Sequence, residues 1–386
     1  MTIGVIGVGN LGLSFALLCE KAGYNVLVSD INEDYVYNLN KGICKTNEPL
    51  IQKMLFEVYD FSATTSNVEV IEKSDIIFTF VPTPPTLDGD YDTTTLFEIT
   101  NEFFTASQLE IPIYNKKFVV GSTTNPGDVE QIQNKLRMFD IQVAYCPEII
   151  SQNNTVSGLE NLDILLIGTE YQELSNELIK IYGRIQTGQL NAHIMSYKAA
   201  EIAKISINCM VASKISYANM IGNVLMKAGL NEEIDLVLNA IGGDSRIGKK
   251  NMKYGFGFGG PYLPKSNRAL AKFGENLDME LTLPITINKF NEEHFLFLKN
   301  HYISLNPNKE VPFVMNYITY KKGSDSLEES QQYKLCVDLL DEGYMVNLIE
   351  TAEITKNLNT LSESYNGRLK FFPRGTSPEG LKIDIQ

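Results

Sequence analysis

Short apolar runs alternate with amphipathic stretches over the first half of the chain. Ile3–Ile6, Val26–Ser29, Ile76–Val81, Phe118–Ser122, Gln142–Tyr145 and Ile164–Ile167 read as strands, and several of the stretches between them carry a helical period. This alternation predicts a parallel sheet covered by helices on both faces. From about Tyr197 to Ala228 the period is helical and free of proline, and Gly229 follows as a C-cap. A helix of this length joins domains, packs against a second subunit, or is simply buried. A glycine-rich segment, Tyr254–Gly260, comes next. From about Val311 an apolar strand, a helix near Leu327–Leu340 and a strand at Met345–Ile349 open a second βαβ-like unit. The last thirty or so residues are weakly patterned.

The 386 residues exceed one ordinary core, so two or three domains are expected. Hydrophobic content of 44% and charged content of 21% are globular values. A formal charge of -14 without a basic stripe argues against nucleic acid as a partner. Any anionic substrate must then be met by local cations and helix N-termini. Five cysteines without metal-ligand spacing and only three histidines predict no metal site and no disulfide framework, as in a reducing cytoplasm. Met1 leads directly into a strand, and no apolar run approaches the length of a membrane helix. A cytoplasmic location away from membranes is therefore expected.

Gly7-Val8-Gly9-Asn10-Leu11-Gly12 follows the first strand and opens a helix, and Asp30 ends the next strand. That context turns a weak G-x-G-x-x-G into a dinucleotide fingerprint. Gly7 permits the tight turn, Gly9 lets a pyrophosphate approach the backbone, and Gly12 allows helix and strand to pack closely. The helix N-terminus offers free N–H groups to phosphate. Asp30 accepts from the adenosine ribose and repels a 2′-phosphate, so NAD is expected rather than NADP. Gly7, Gly9, Asn10, Leu11, Gly12 and Asp30 are the expected cofactor contacts.

Further landmarks occur in order: Asn47-Glu48-Pro49, Val81-Pro82-Thr83-Pro84, Ser122-Thr123-Thr124-Asn125-Pro126-Gly127 and Pro147-Glu148. Glu201, Lys204 and Asn208 follow on the long helix, then Asp244-Ser245-Arg246-Ile247-Gly248, Lys321 and Gly323-Ser324-Asp325. Over about residues 1–330 this ordered set resembles the UDP-glucose/GDP-mannose dehydrogenase family of nucleotide-sugar 6-dehydrogenases. The resemblance implies an α/β fold: an N-terminal Rossmann-type doubly wound parallel sheet (1–195), a central long-helix domain forming a homodimer (196–300), and a smaller C-terminal α/β domain for the nucleotide sugar (301–386). Family enzymes oxidise a hexose C6 hydroxyl twice, using a cysteine that carries the intermediate as a thiohemiacetal and then a thioester.

By the same resemblance Val81, Pro82, Thr83, Ser122 and Thr123 line NAD. Thr123 and Glu148 handle protons and water, and Lys204 with Asn208 stabilises the oxyanion. Gln152, Arg246, Phe256, Gly257, Lys265 and Lys321 join Glu148, Lys204 and Asn208 in substrate binding. Lys204 and Asn208 lie four residues apart and so share a helix face, as two donors aimed at one oxyanion require. The glycines of 255–260 could let backbone N–H groups approach a sugar or phosphate.

The pattern breaks at the covalent step. Gly259-Gly260-Pro261-Tyr262-Leu263-Pro264-Lys265-Ser266 has Tyr262 where the family has its cysteine, and Ser266 where it has an aspartate. A phenol is larger and less acidic than a thiol, so Tyr262 is expected to act at most as a general base, lowered by Lys204 and Lys265. Gln152 replaces a second glutamate, Glu328 an arginine, and Tyr35 a cation near the adenosine. Cys146 and Cys209 adjoin the site in sequence and are candidate substitute thiols. Three functions remain open: an NAD-dependent nucleotide-sugar dehydrogenase, either restricted to one oxidation by loss of the thiol or oxidising fully through a hydrated aldehyde; a non-catalytic relative that binds NAD or a nucleotide sugar; and a dehydrogenase of a non-nucleotide substrate such as a hydroxy acid.

Overall fold

The computed structural model describes all residues except Asn47, Pro49, 151–154 and 384–386, together with the side chains at 352, 353 and 357. Gln152 and two of the three residues of the Asn47-Glu48-Pro49 landmark therefore lie outside the described residues. The chain divides into two compact units, Met1–Ile205 and Ser206–Gln386.

The first unit holds strands β1 (Thr2–Ile6), β2 (Asn25–Ser29), β3 (Phe61–Thr64), β4 (Ile76–Thr79), β5 (Lys117–Val120), β6 (Gln142–Tyr145), β7 (Leu165–Gly168) and β8 (Ala192–Met195). They form one sheet in the order β3-β2-β1-β4-β5-β6-β7-β8. The pairing is parallel except between β6 and β7, which meet antiparallel at Tyr145 and Gly168. Nearly every residue of β1, β2, β4, β5, β6 and β7 is buried, because helices cover both faces. One face packs Leu13, Phe15, Leu17 and Tyr182 against Val5 and Phe78. The other packs Leu96, Phe103 and Ile132 against Ile77 and Phe118.

The strand order reverses between β1 and β4. The carboxyl ends of the strands at such a switch point are where open α/β sheets bind ligands. Strands β3 and β8 do not stand out in the sequence, since both are half-exposed edges of four residues with no continuous apolar run.

The long helix runs from Tyr197 to Lys227, within a residue of its expected limits. Gly229, at φ +75°, ends it, with its N–H on the Met226 carbonyl and that of Leu230 on Leu225.

The second unit contains helices Ile234–Gly243, Leu263–Glu275 and Thr282–Leu305, and a parallel sheet of β9 (Phe313–Met315), β10 (Val346–Glu350), β11 (Leu369–Pro373) and β12 (Leu381–Ile383). The strand order there is β11-β10-β9-β12. Its core joins Phe295, Phe313, Leu335, Leu339, Val346 and Leu348. The helix expected from Leu327 starts at Gln331 instead, because the Ser330 side chain caps it by accepting from the Tyr333 N–H. The weakly patterned tail supplies β11 and β12, two short strands that complete this sheet.

Candidate active site

The glycine turn is built as a phosphate cradle. Gly7 has φ +84°, a left-handed backbone that glycine adopts freely. A methyl on Gly12 would lie 2.1 Å from the Gly7 carbonyl oxygen, so only glycine lets the helix Asn10–Lys21 come this close to the turn. A methyl on Gly9 would touch nothing within 4 Å, so the space over the turn is open. No side chain caps the helix N-terminus, which leaves its first N–H groups available to an anion.

Asp30 closes the other side. Its Oδ2 accepts from the Val8 N–H at 3.3 Å and its Oδ1 from Asn32 at 3.1 Å, and each oxygen retains a lone pair for a ribose hydroxyl. The Tyr35 hydroxyl braces the turn by donating to the Val8 carbonyl at 2.8 Å. The Ser122 hydroxyl donates to the Val81 carbonyl at 2.7 Å, tying together the chain beyond β4 and β5. Val81 also lies against Gly7, while Pro82 is exposed and Thr83 and Thr123 are half-buried. These features fit a dinucleotide lying along the carboxyl ends of the sheet.

A buried carboxylate and a buried ammonium lie together beyond β6. Glu148 is 7% exposed and Lys204 9%. The Tyr182 hydroxyl donates to Glu148 Oε1 at 2.6 Å. The Lys204 ammonium donates to the backbone carbonyl of Glu148. Burial lifts the Glu148 carboxyl to about 7, against the Tyr182 hydrogen bond and the Lys204 charge, which hold it down. Burial likewise lowers Lys204 to about 8, opposed by the charge of Glu148. A carboxyl and an ammonium both brought close to neutrality are equipped for proton transfer.

Glu201, one turn before Lys204, has a different task. It accepts from Thr124 Oγ1 at 2.9 Å and from the N–H groups of Gly127 at 2.6 Å and Val129 at 3.0 Å. It thus satisfies the start of the helix Asp128–Leu136 and fixes the loop that carries Thr123.

In the second unit Asn208 donates to Ser266 Oγ at 2.9 Å, so Ser266 anchors the amide. Tyr262 is 46% exposed and immediately precedes the helix Leu263–Glu275. Lys265 pairs with Glu328 at 3.1 Å, and Arg268 pairs with the neighbouring Glu329 at 2.6 Å. Lys265, one of the two lysines expected to lower the Tyr262 phenol, is thus already engaged by Glu328. Arg246 is exposed and forks onto Asp244. Lys321 is also exposed.

The glycine-rich segment is a post, with most of its N–H groups spent inside the protein. Gly255 N–H goes to Asn219, Gly257 N–H to Gln331, Phe258 N–H to Asn291 and Gly260 N–H to the Glu328 carbonyl. The His294 ring bonds the Gly255 carbonyl, and Phe256 packs against the core beside the second sheet. A methyl on Gly257 would fall 2.2 Å from Asn291 Oδ1, and one on Gly259 2.3 Å from the Glu329 carbonyl. Glycine is required here by close protein packing, which corrects the expectation that these four N–H groups are free for a phosphate.

All five cysteines are buried. Burial raises the thiol of Cys209 to about 12 and that of Cys146 further still. Burial thus disfavours the thiolate form at both positions.

A cavity of about 520 Å³ lies beside the helix Thr94–Gln108, lined by Thr86, Asp90, Asp92, Phe97, Glu98 and Asn125 among others. It includes none of the expected cofactor contacts. Among the described residues no set of three or more His, Cys, Asp or Glu side chains could hold a metal ion, and no helix is long and apolar enough to cross a membrane.

A turn for a dinucleotide, followed by a buried proton-transfer pair, defines an NAD-dependent oxidoreductase acting on CH–OH groups. Comparison with known proteins agrees. The NAD binding domain of the UDP-glucose/GDP-mannose dehydrogenase family matches residues 1–186, and that family's central domain matches residues 198–293. The chain is 26% identical over 367 residues to a UDP-glucose 6-dehydrogenase of Rickettsia bellii, covering 93% of this chain and 83% of the relative. A GDP-mannose 6-dehydrogenase of Azotobacter vinelandii is 24% identical over 362 residues, covering 91% and 81%. The fold is that of a UDP-glucose dehydrogenase from Pyrobaculum islandicum, with TM-score 0.84, 23% identity and coverage of 96% and 85%. The chain belongs to the UDP-glucose/GDP-mannose dehydrogenase family, and NAD is its cofactor.

Sequence reasoning did not find Tyr182. It sits among the apolar positions of the helix Gln172–Ile185 and reads there as core.

Proposed function

We propose that the chain oxidises a hydroxyl of a nucleotide-linked sugar with NAD and stops after one two-electron step. The single observation behind the arrest is Tyr262 at the nucleophile's position, with Cys146 and Cys209 buried as inert thiols. Bound NAD, held by Gly7, Gly9, Asn10, Leu11, Gly12, Asp30, Val81, Pro82, Thr83, Ser122 and Thr123, supplies the acceptor for the hydride that leaves the hydroxyl-bearing carbon. Glu148 takes the hydroxyl proton. Lys204, as the ammonium, and Asn208, held by Ser266, stabilise the alkoxide. The product is an aldehyde or a ketone. Without a thiolate no thiohemiacetal forms, so no thioester follows.

Substrate contacts are assigned to Glu148, Gln152, Lys204, Asn208, Arg246, Phe256, Lys265 and Lys321. We assign residues 196–300 to a helical domain through which a cytoplasmic homodimer forms, and 301–386 to the nucleotide-sugar domain. The engagement of Lys265 by Glu328 and of Arg246 by Asp244 favours a second possibility, a binding relative without turnover.

The test is to incubate the protein with NAD and UDP-, GDP- and free sugars and count NADH per sugar consumed. One NADH is expected. Two contradicts the arrest, and none with any sugar favours the binding relative. In Tyr262→Cys a second NADH per sugar is expected, because the thiol restores the covalent route.

A further inference from the structure

We propose that Tyr182 is a positioning residue for the oxidation, its phenol holding the Glu148 carboxylate ionised and oriented in the buried site. The proposal rests on the assignment of Glu148 as the group that accepts the hydroxyl proton.

The argument starts from what surrounds Glu148. Its side chain has left water, and an unsatisfied buried carboxylate is costly. Among the described residues its carboxylate receives one hydrogen bond, from Tyr182 at 2.6 Å. Lys204 gives its bond to the Glu148 main chain, so it contributes charge without orienting the carboxylate. Orientation therefore falls to the phenol.

Tyr182 is suited to this. It is 0% exposed, and its ring packs against Phe15 at 5.5 Å within the core of the first unit. A ring so enclosed has one place for its hydroxyl. Burial, the neighbouring Cys146 thiol and the Glu148 carboxylate raise its own ionisation well above the usual phenol range, so it remains a donor at all working pH values.

The titratable groups facing Glu148 come from four elements. Lys204 lies on the long helix, Tyr182 on the helix Gln172–Ile185, Cys146 just beyond β6, and Cys19 on the helix Asn10–Lys21. Both thiols are raised by burial and stay neutral. Of these groups only Lys204 and Tyr182 favour the ionised form of Glu148. A hydrogen bond to a charged group is worth enough that its loss shifts the carboxyl by about one pH unit upward.

The experiment compares the parent with Tyr182→Phe, which removes the hydroxyl and keeps the ring. The acidic limb of the kcat/KM profile is expected to move up by about one pH unit, with the rate on the plateau reduced less than at low pH. A merely structural residue would lower the rate evenly across pH, and an unmoved limb overturns the proposal. A second measurement does not depend on turnover. Infrared titration of the buried carboxyl, identified as the band missing in Glu148→Gln, is expected to give a midpoint about one pH unit higher in Tyr182→Phe. An unchanged midpoint also overturns the proposal. If no sugar is oxidised, the assigned function fails while this titration still decides the role of Tyr182.

Discussion

Replacing Glu148 by glutamine is expected to damage activity and improve stability at once. Burial lifts this carboxyl from its ordinary value near 4.5 to about 7. Folding therefore takes up a proton between those two pH values, and stability falls as pH rises through that window. Above about pH 7 the ionised group costs about 3 kcal/mol, at roughly 1.4 kcal/mol per tenfold change. Glutamine has no charge to bury and still accepts from the Tyr182 hydroxyl. At pH 8 Glu148→Gln should be more stable than the parent by about 3 kcal/mol, and at pH 5 by only about 1 kcal/mol. The same change removes the proton acceptor, and kcat should fall by about 10²- to 10⁴-fold. Urea unfolding at the two pH values and NADH absorbance with the preferred sugar measure both effects. A variant within tenfold of the parent in kcat, or one whose stability gain does not grow from pH 5 to pH 8, refutes the reasoning.

Four other predictions concern the cofactor turn and the lysine. Gly9→Ala should leave folding stability within about 0.5 kcal/mol, since its methyl meets no protein atom, yet weaken NAD at least about tenfold by calorimetry because the methyl occupies the phosphate's approach. Gly12→Ala should destabilise the fold by about 2 kcal/mol, because its methyl strikes the Gly7 carbonyl, as denaturant unfolding will report. Asp30→Asn should raise KM for NAD and narrow its preference over NADP, read from initial rates with each cofactor. Lys204, lowered to about 8, should set a basic limb near that pH, since its ammonium is lost above it. A kcat profile that stays flat to pH 10 would show that the charge of Lys204 is not used.

Features set by neighbours in the chain were legible in the sequence. Gly7, Gly9, Gly12 and Asp30 are legible because the turn and its acid are fixed by local spacing and one strand-to-strand step. The long helix is legible because its period runs unbroken to Gly229. Edge strands β3, β8 and β12 are three or four residues long, and their pairing comes from the sheet rather than from their own pattern. Tyr182 and Glu148 are 34 residues apart, and Lys265 and Glu328 are on separate elements. Such partners are chosen by tertiary packing, which no window of sequence contains. The glycines of 255–260 show the same limit. Their spacing resembles an open anion loop, and only the positions of Asn219, Asn291 and Gln331 reveal that most of its N–H groups are taken.

The arrest of oxidation after one hydride is tested most directly, for the primary hydroxyl at C6, with a sugar nucleotide carrying two deuterium atoms on that carbon. Mass spectrometry of the product should find one deuterium retained on an aldehyde carbon. A carboxylate product that has lost both would contradict it.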